Sequence, residues 1–278
     1  MADSDWRSYL SNTEVIVHAG GLSERWYPVT QGKIPKVLTE IGSKPRPMLD
    51  WTILPYVKSG VKKFFITLWH QSDQIIQHCN NISQKTGIEF VFLKEEPIRM
   101  GRAGVLKYYL EKGALDVNKH KINVGGSDIV NIGLEPFIKF HLEGLQQGFS
   151  ATLVGSETGM SQFDRISFDP STNRVLKMEI ERIINLPDGA HANTGTAYFD
   201  MKLNQVFLAV DEKQFPIDWE NMGGMLLNNA RCFGSANVFE SWIPLKTPYD
   251  YKKAKDVDFE KWFGVDSVDE YLGEYTLK

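Results

Sequence analysis

Residues 19–45 open as Ala19-Gly20-Gly21-Leu22-Ser23-Glu24-Arg25-Trp26-Tyr27-Pro28-Val29-Thr30, pass through Gln31-Gly32-Lys33-Ile34-Pro35-Lys36, and end on Gly42-Ser43-Lys44-Pro45. The run before them, Glu14-Val15-Ile16-Val17-His18-Ala19, is short and β-branched and stops on paired glycines. That is the pattern of a buried strand entering a tight loop. Glycines let backbone N–H groups come close to an anion, and Arg25 and Lys36 add the fixed positive charge that a polyphosphate requires. Taken singly, Gly20-Gly21 is an ordinary loop, and Arg25 or Lys36 is a solvated surface charge. The grouping is what reads as a phosphate site. Neither the G-x-x-x-x-G-K-[ST] spacing of a P-loop nor the G-x-G-x-x-G of a dinucleotide fold is present.

Outward from this loop the chain alternates strands and helices. Pro47–Val57 carries a helical apolar pattern, and 63–69 reads as a strand. Ser72 caps a helix with Ile75, Ile76, Cys79 and Ile82 inward and Gly87 as its stop. Strands at 90–93, 121–124 and 151–154 alternate with helices at 103–110 and 135–147. This order predicts an α/β fold, a doubly wound and mostly parallel sheet with helices on both faces and ligands beyond the strands' carboxyl ends. After residue 160 the pattern becomes β-rich, at 163–169, 173–182 and 194–200. Helices at 201–210 and 219–231, a strand around 235–243 and a terminal helix from about Tyr249 complete it. We expect one folded unit over 1–278, with a nucleotide-binding part at about 12–160 and an acceptor-binding part at about 161–278.

The bulk composition narrows the function. A length of 278 residues with 42% hydrophobic residues builds a real core. A formal net charge of −4 argues against nucleic acid as partner, because such binding needs a basic surface. The two cysteines, Cys79 and Cys232, have no metal-ligand spacing and read as buried thiols. The first residues lack the basic and apolar regions of a signal peptide, and no segment reaches membrane-spanning length, so a cytoplasmic enzyme is expected.

The loop resembles the signature of the sugar nucleotidyltransferases (NDP-sugar pyrophosphorylases), A-G-G-x-G-T-R-L-x-P-x-T followed by P-K and K-P. Ala19, Gly20, Gly21, Arg25, Pro28, Thr30, Pro35, Lys36, Lys44 and Pro45 match it, and the general feel is that of the sugar-1-phosphate guanylyltransferases. The resemblance implies a Rossmann-like nucleotidyltransferase fold and transfer of a nucleoside monophosphate from an NTP to a sugar 1-phosphate-like acceptor. It also implies Mg²⁺, and it leaves a homo-oligomer open. It assigns the triphosphate to Ala19, Gly20 and Gly21, the departing pyrophosphate to Arg25 and the α-phosphate to Lys36. Such transfer depends on positioning and charge neutralisation rather than on a protein nucleophile. Ser23 stands where the pattern has glycine and Glu24 where it has threonine. His18 reads as a packed histidine rather than a base.

Glu95-Glu96-Pro97 through Gly101 and Gly104 resembles the family's base-contacting E-E-P-L-G-T-A-G segment with two residues inserted. A carboxylate only accepts hydrogen bonds, and guanine offers two adjacent donors, so Glu95 or Glu96 would suit GTP. Gly125-Gly126-Ser127-Asp128 resembles N-G-D, whose aspartate holds Mg²⁺. As a lone residue Asp128 also reads as a turn cap. Glu181-Arg182 and Asn193-Thr194-Gly195 resemble the E-K-P and N-[AT]-G pair that holds the acceptor sugar and its phosphate.

One segment departs more seriously. Trp242-Ile243-Pro244-Leu245-Lys246-Thr247-Pro248 resembles W-x-D-I-G-T-P, and the second metal-binding aspartate falls on Pro244. With Ser23 and Glu24, this keeps a second reading open: a non-catalytic, nucleotide-sugar-binding regulatory homologue.

Overall fold

The computed structural model describes residues 5–157, 164–179, 190–218, 222, 229–236 and 240–276. In chain order the first half forms α1 (Asp5–Ser11), β1 (Thr13–His18), α2 (Tyr27–Thr30), β2 (Glu40–Ile41), β3 (Arg46–Pro47), α3 (Met48–Lys58) and β4 (Lys63–Leu68). It continues with α4 (Ser72–Thr86), β5 (Glu89–Lys94), α5 (Gly101–Glu111), β6 (His120–Gly125), β7 (Asp128–Val130), α6 (Leu134–Gln146) and β8 (Ala151–Ser156). Then follow β9 (Arg165–Phe168), β10 (Val175–Glu179), β11 (Ala190–Phe199), α7 (Asn204–Leu208) and β12 (Ala230–Ala236). The chain closes with β13 (Trp242–Pro244), α8 (Pro248–Ala254), α9 (Phe259–Phe263) and α10 (Asp269–Leu272).

β6, β1, β4 and β5 are parallel neighbours, in registers such as Val17↔Val124 and Val15↔Phe64. β11 pairs antiparallel with β6 on one side and with β8 on the other, and β12 runs parallel to β8. β8 and β12 therefore point the same way as the parallel four, and β11 alone reverses between them. The other end of β11 carries the antiparallel β9 and β10. The expected mostly parallel α/β sheet is present, with antiparallel strands added where the sequence turned β-rich.

Alternation along the central strands builds two cores. Val15, Val17, Phe64, Ile66, Ile122 and Val124 pack with α3, α4, α6 and the C-terminal helices. Ile16, Phe65 and Leu93 face the other way, onto α5 and α7. The central strands are covered on both faces, which explains why they read as unbroken apolar runs. In α4, Ile75, Cys79 and Ile82 are buried, and Gly87 (φ +72°) ends the helix as expected.

Four local expectations are corrected. Ser72 is the first helical residue of α4 rather than its cap, which is Gln71. Arg231 is not helical: Ala230–Phe233 pair in parallel with 151–154, so sheet pairing overrides helix-forming composition there. The strand expected around 235–243 is two strands, β12 ending at Ala236 and β13 starting at Trp242. The terminal helix is three short ones. Thr247 starts the first with a capping box to Asp250, and Gly264 (φ +62°) stops the second.

Candidate active site

The loops at the carboxyl ends of the parallel strands are tied together through their backbones. Ala19 N–H donates to Thr67 O (3.1 Å), Gly126 N–H to His18 O (3.0 Å), and Glu95 N–H to Leu68 O (2.8 Å). The three segments singled out in the sequence thus share one edge of the sheet. His18 lies beneath them. Its Nε2–H donates to Asn123 Oδ1 (3.0 Å), and burial, reinforced by the Arg102 charge, lowers its pKa to about 4. A neutral, packed imidazole matches the sequence reading.

In the glycine loop, Ser23 adopts φ 58°, ψ 34°, the left-handed conformation that favours the glycine of the family pattern. Glu24 and Arg25 are exposed on the short 3₁₀ turn that follows. Trp26 points inward at 1% exposure, donates from Nε1–H to Thr39 Oγ1 (3.0 Å) and lies under Lys36, whose Nζ is 4.9 Å from the ring centroid. Lys36 Nζ donates to Ser127 Oγ (2.9 Å), which links the first loop to the one after β6. Burial, followed by the Lys246 charge, lowers the Lys36 pKa to about 7; Arg25 pushes the same way, whereas Asp128 and Asp250 oppose it. The charges of Arg25, Lys246 and Asp128 are therefore all felt at Lys36.

Asp128 is 4% exposed and begins β7, which forms a two-stranded ribbon with β13. Pro244 stands opposite Asp128 in that ribbon, so the residue in the place of the second acid offers no side-chain oxygen. Lys246 Nζ instead donates to Asp128 Oδ2 at 2.5 Å. Asp128 Oδ1 is buried without a hydrogen-bond partner. One open carboxylate oxygen fits a hard cation that draws its other ligands from phosphates and water. Among the described residues no group of three or more His, Cys, Asp or Glu is placed to hold a metal ion.

Glu95 and Glu96 part company. Glu95 is buried, and its Oε2 accepts from Met100 N–H (2.8 Å) and Gly101 N–H (3.1 Å) at the start of α5. Burial still raises its pKa, with those two donors opposing the rise. Its Oε1 lies 3.1 Å from where a Cβ on Gly20 would be, so Glu95 also walls the glycine loop. Glu96 is exposed. Gly101 has φ +75°, and a Cβ there would fall 2.6 Å from Ile217 O; the glycine makes room for the 217 segment. That segment is held by Ile217 N–H to Met100 O (2.9 Å), while Asp218 Oδ1 accepts from both Arg102 N–H and Nε–H.

At the acceptor side, Asn193 Oδ1 accepts from Gly195 N–H (2.9 Å), and Gly195 has φ +80° at an irregularity in β11. A Cβ on Gly195 would lie 3.8 Å from Asp128 Oδ2, which puts this turn beside the Asp128–Lys246 pair. Glu181 and Arg182 lie outside the described residues. A separate cavity of about 550 Å³, lined by Arg46, Gln74, His78 and Tyr275 among others, touches none of Arg25, Lys36 or Asp128. Sequence reasoning missed Lys246, Ser127 and the Trp26 platform. Lys246 was legible as the residue in place of the glycine of W-x-D-I-G-T-P.

The Nucleotidyl transferase family model matches residues 14–216. The chain belongs to the nucleotidyl transferase family. The resemblance read from residues 19–45 is thereby borne out. The chain is 27% identical over 246 residues to a Sulfolobus acidocaldarius protein provisionally named mannose-1-phosphate guanyltransferase, a match covering 86% of the chain. The match spans only 61% of that relative's length. A Bacillus anthracis structure, provisionally named glucose-1-phosphate thymidylyltransferase and in complex with sucrose, superposes with a TM-score of 0.70 at 17% identity, covering 91% of this chain and 100% of the other. HddC from Yersinia pseudotuberculosis in complex with GMP-PN gives 0.65 at 19% identity, over 87% of this chain and 97% of the other. The inositol-1-phosphate CTP transferase from T. maritima gives 0.64 at 16%, over 91% and 98%. These likenesses establish the fold. No helix among the described residues is long and apolar enough to cross a membrane.

Proposed function

We propose that the protein transfers a nucleoside monophosphate, preferably GMP from GTP, to a sugar 1-phosphate or sugar-like phosphate, releasing pyrophosphate. The observation that carries this reading is the convergence of Lys36, Ser127 and Asp128 at the sheet edge beside the glycine loop that carries Arg25. In the reaction an acceptor phosphate oxygen bonds to the α-phosphorus of the NTP as the bond from that phosphorus to the β-phosphate bridging oxygen breaks. Backbone N–H groups at Gly20 and Gly21 cradle the triphosphate, the Ala19 N–H being taken up by Thr67 O, while exposed Arg25 holds the departing pyrophosphate and Lys36 faces the α-phosphate.

Mg²⁺ entering with the triphosphate would be held by Asp128 through Oδ1 and would supply charge neutralisation on phosphate oxygens. Glu96 accepts the guanine donors from its exposed position before α5, while Glu95 sets the loop from behind. Residues after about 160 take the acceptor, with Asn193 and the Gly195 turn beside Asp128 and with Glu181 and Arg182 as further contacts. The relatives' names are divided among guanylyl, cytidylyl and thymidylyl donors, and that of the S. acidocaldarius protein supports guanine. The test is pyrophosphate release over four NTPs, each with mannose, glucose and heptose 1-phosphates and a cyclitol phosphate. Release fastest with GTP is the expected result. Binding of nucleotide-sugars without release from any combination would leave the regulatory homologue instead.

A further inference from the structure

The pair formed by Lys246 and Asp128 is not what joins β7 to β13. β7 and β13 are already joined by their ladder and by Leu245 N–H to Ser127 O (3.3 Å). The backbone at Lys246 is fixed separately: Asp250 Oδ2 accepts from Lys246 N–H (3.0 Å) and Thr247 N–H (2.7 Å), within the capping box of α8. The side chain is therefore launched from a rigid base toward the sheet edge. Its Nζ touches Asp128 Oδ2, and 23% of the side chain remains exposed. An ammonium has three N–H donors, and one is spent on Asp128, so two remain to face an anion.

The Lys246 and Asp128 charges both act on Lys36, so the pair sits beside the lysine that faces the phosphates, and Asp250 is itself occupied by backbone donors. Pro244, opposite Asp128, contributes no oxygen for a cation. Among the described residues, a metal at this position would rest on the Asp128 carboxylate, one oxygen of which is already paired with a tethered ammonium. Fixed positive charge at a water-poor position is what a polyphosphate requires, whether an ion or a side chain supplies it.

We propose that Lys246 is a phosphate-binding residue whose ammonium, seated on Asp128, takes over part of the work of a divalent cation, so that nucleoside triphosphate binding depends only weakly on divalent metal. The proposal rests on the nucleotidyl-transfer reading of the site. Asp128 then has two tasks: Oδ2 orients Lys246, and Oδ1 stays open to whatever cation accompanies the nucleotide.

The test is calorimetric titration of the full chain with each of the four NTPs, in Mg²⁺ and in EDTA. For the wild type, the tightest NTP is expected to lose less than about fivefold in affinity when Mg²⁺ is replaced by EDTA. Lys246→Met should lose roughly ten- to a hundredfold in EDTA, the range of one charge-assisted hydrogen bond, and much less in Mg²⁺. Lys246→Arg should keep the chelator-resistant binding. A merely structural lysine would weaken binding equally in both buffers, and that result overturns the proposal. So does a wild type whose binding collapses more than about a hundredfold in EDTA. Lys246→Met leaves Asp128 buried and unpaired, so Asp128→Asn is compared with Asp128→Asn/Lys246→Met as a pair free of that charge. In EDTA the first must bind more tightly than the second, and equality overturns the proposal. Failure of the wild type to bind any NTP in Mg²⁺ would instead overturn the nucleotidyl-transfer reading on which the proposal stands.

Discussion

Glu95 and Glu96 are adjacent, chemically identical and placed in opposite environments, so replacing each by glutamine separates support from recognition. Glu95 Oε2 accepts two backbone N–H groups, at 2.8 and 3.1 Å, from the first residues of α5. Hydrogen bonds to a charged partner contribute about 1.5–3 kcal/mol each and neutral ones about 0.5–1.5, so losing the charge costs about 1 kcal/mol per bond. Burial already raises the Glu95 pKa, so relief of desolvation offsets part of this sum. Glu95→Gln should therefore lose about 1–2 kcal/mol, seen as a fall of roughly 2–4 °C in Tm for a chain of this length. Glu96 is exposed, and Glu96→Gln should stay within about 0.5 kcal/mol of the wild type. The ratio of kcat/KM for GTP to that for UTP should move in the second variant more than in the first. Thermal unfolding followed by circular dichroism, with the two-substrate rates, measures both effects. A larger stability loss for Glu96→Gln than for Glu95→Gln would refute the reasoning.

Lys36 is held down to about 7, and an anionic triphosphate raises its pKa, so nucleotide binding should take up protons at pH 7–8 and weaken above that range. Calorimetry in buffers of different ionisation enthalpy reads the uptake, and its persistence in Lys36→Met would contradict the assignment. Gly101→Ala should cost about 3 kcal/mol or more, because φ +75° is strained for alanine and the added carbon meets Ile217 O at 2.6 Å; a shift in the urea midpoint worth less than about 1 kcal/mol would count against the packing described. Burial lowers His18 to about 4 and His141 to about 3, against about 6.5 when unfolded. The unfolded chain then binds more protons between those values, so stability is complete above about pH 6.5 and falls as the pH drops toward 4. Urea midpoints at pH 7 and pH 5 test this, and His141→Gln should flatten the difference.

The parallel half of the fold was legible because its strands are buried on both faces and appear as β-branched runs closed by glycine turns. The phosphate loop was legible because its residues are local in sequence. The β7–β13 ribbon was not: three-residue strands have no measurable periodicity, and Asp128 meets Pro244 only through a pairing distant in sequence. Asp128 therefore read as a turn residue past a strand rather than the first residue of one. Arg231 read as the end of a helix because its local composition favours one, whereas β8 supplies the ladder that decides otherwise. The two neighbouring glutamates could not be told apart from composition, since their difference is made by the direction of α5. Lys246, standing where the pattern has glycine, meets Asp128 only across 118 positions of sequence, which no local pattern shows.

In the proposed function, the residues joined at the carboxyl edge of the sheet drive nucleotidyl transfer. Single-turnover formation of the nucleotide-sugar by wild type and Lys36→Met, at saturating NTP and acceptor, tests it most directly. Loss of one preorganised charge at the reacting phosphate is expected to slow the step by roughly 10²–10³-fold, with the Tm changed by only a few degrees. An unchanged rate in Lys36→Met, at equal occupancy of both substrates, would contradict the account.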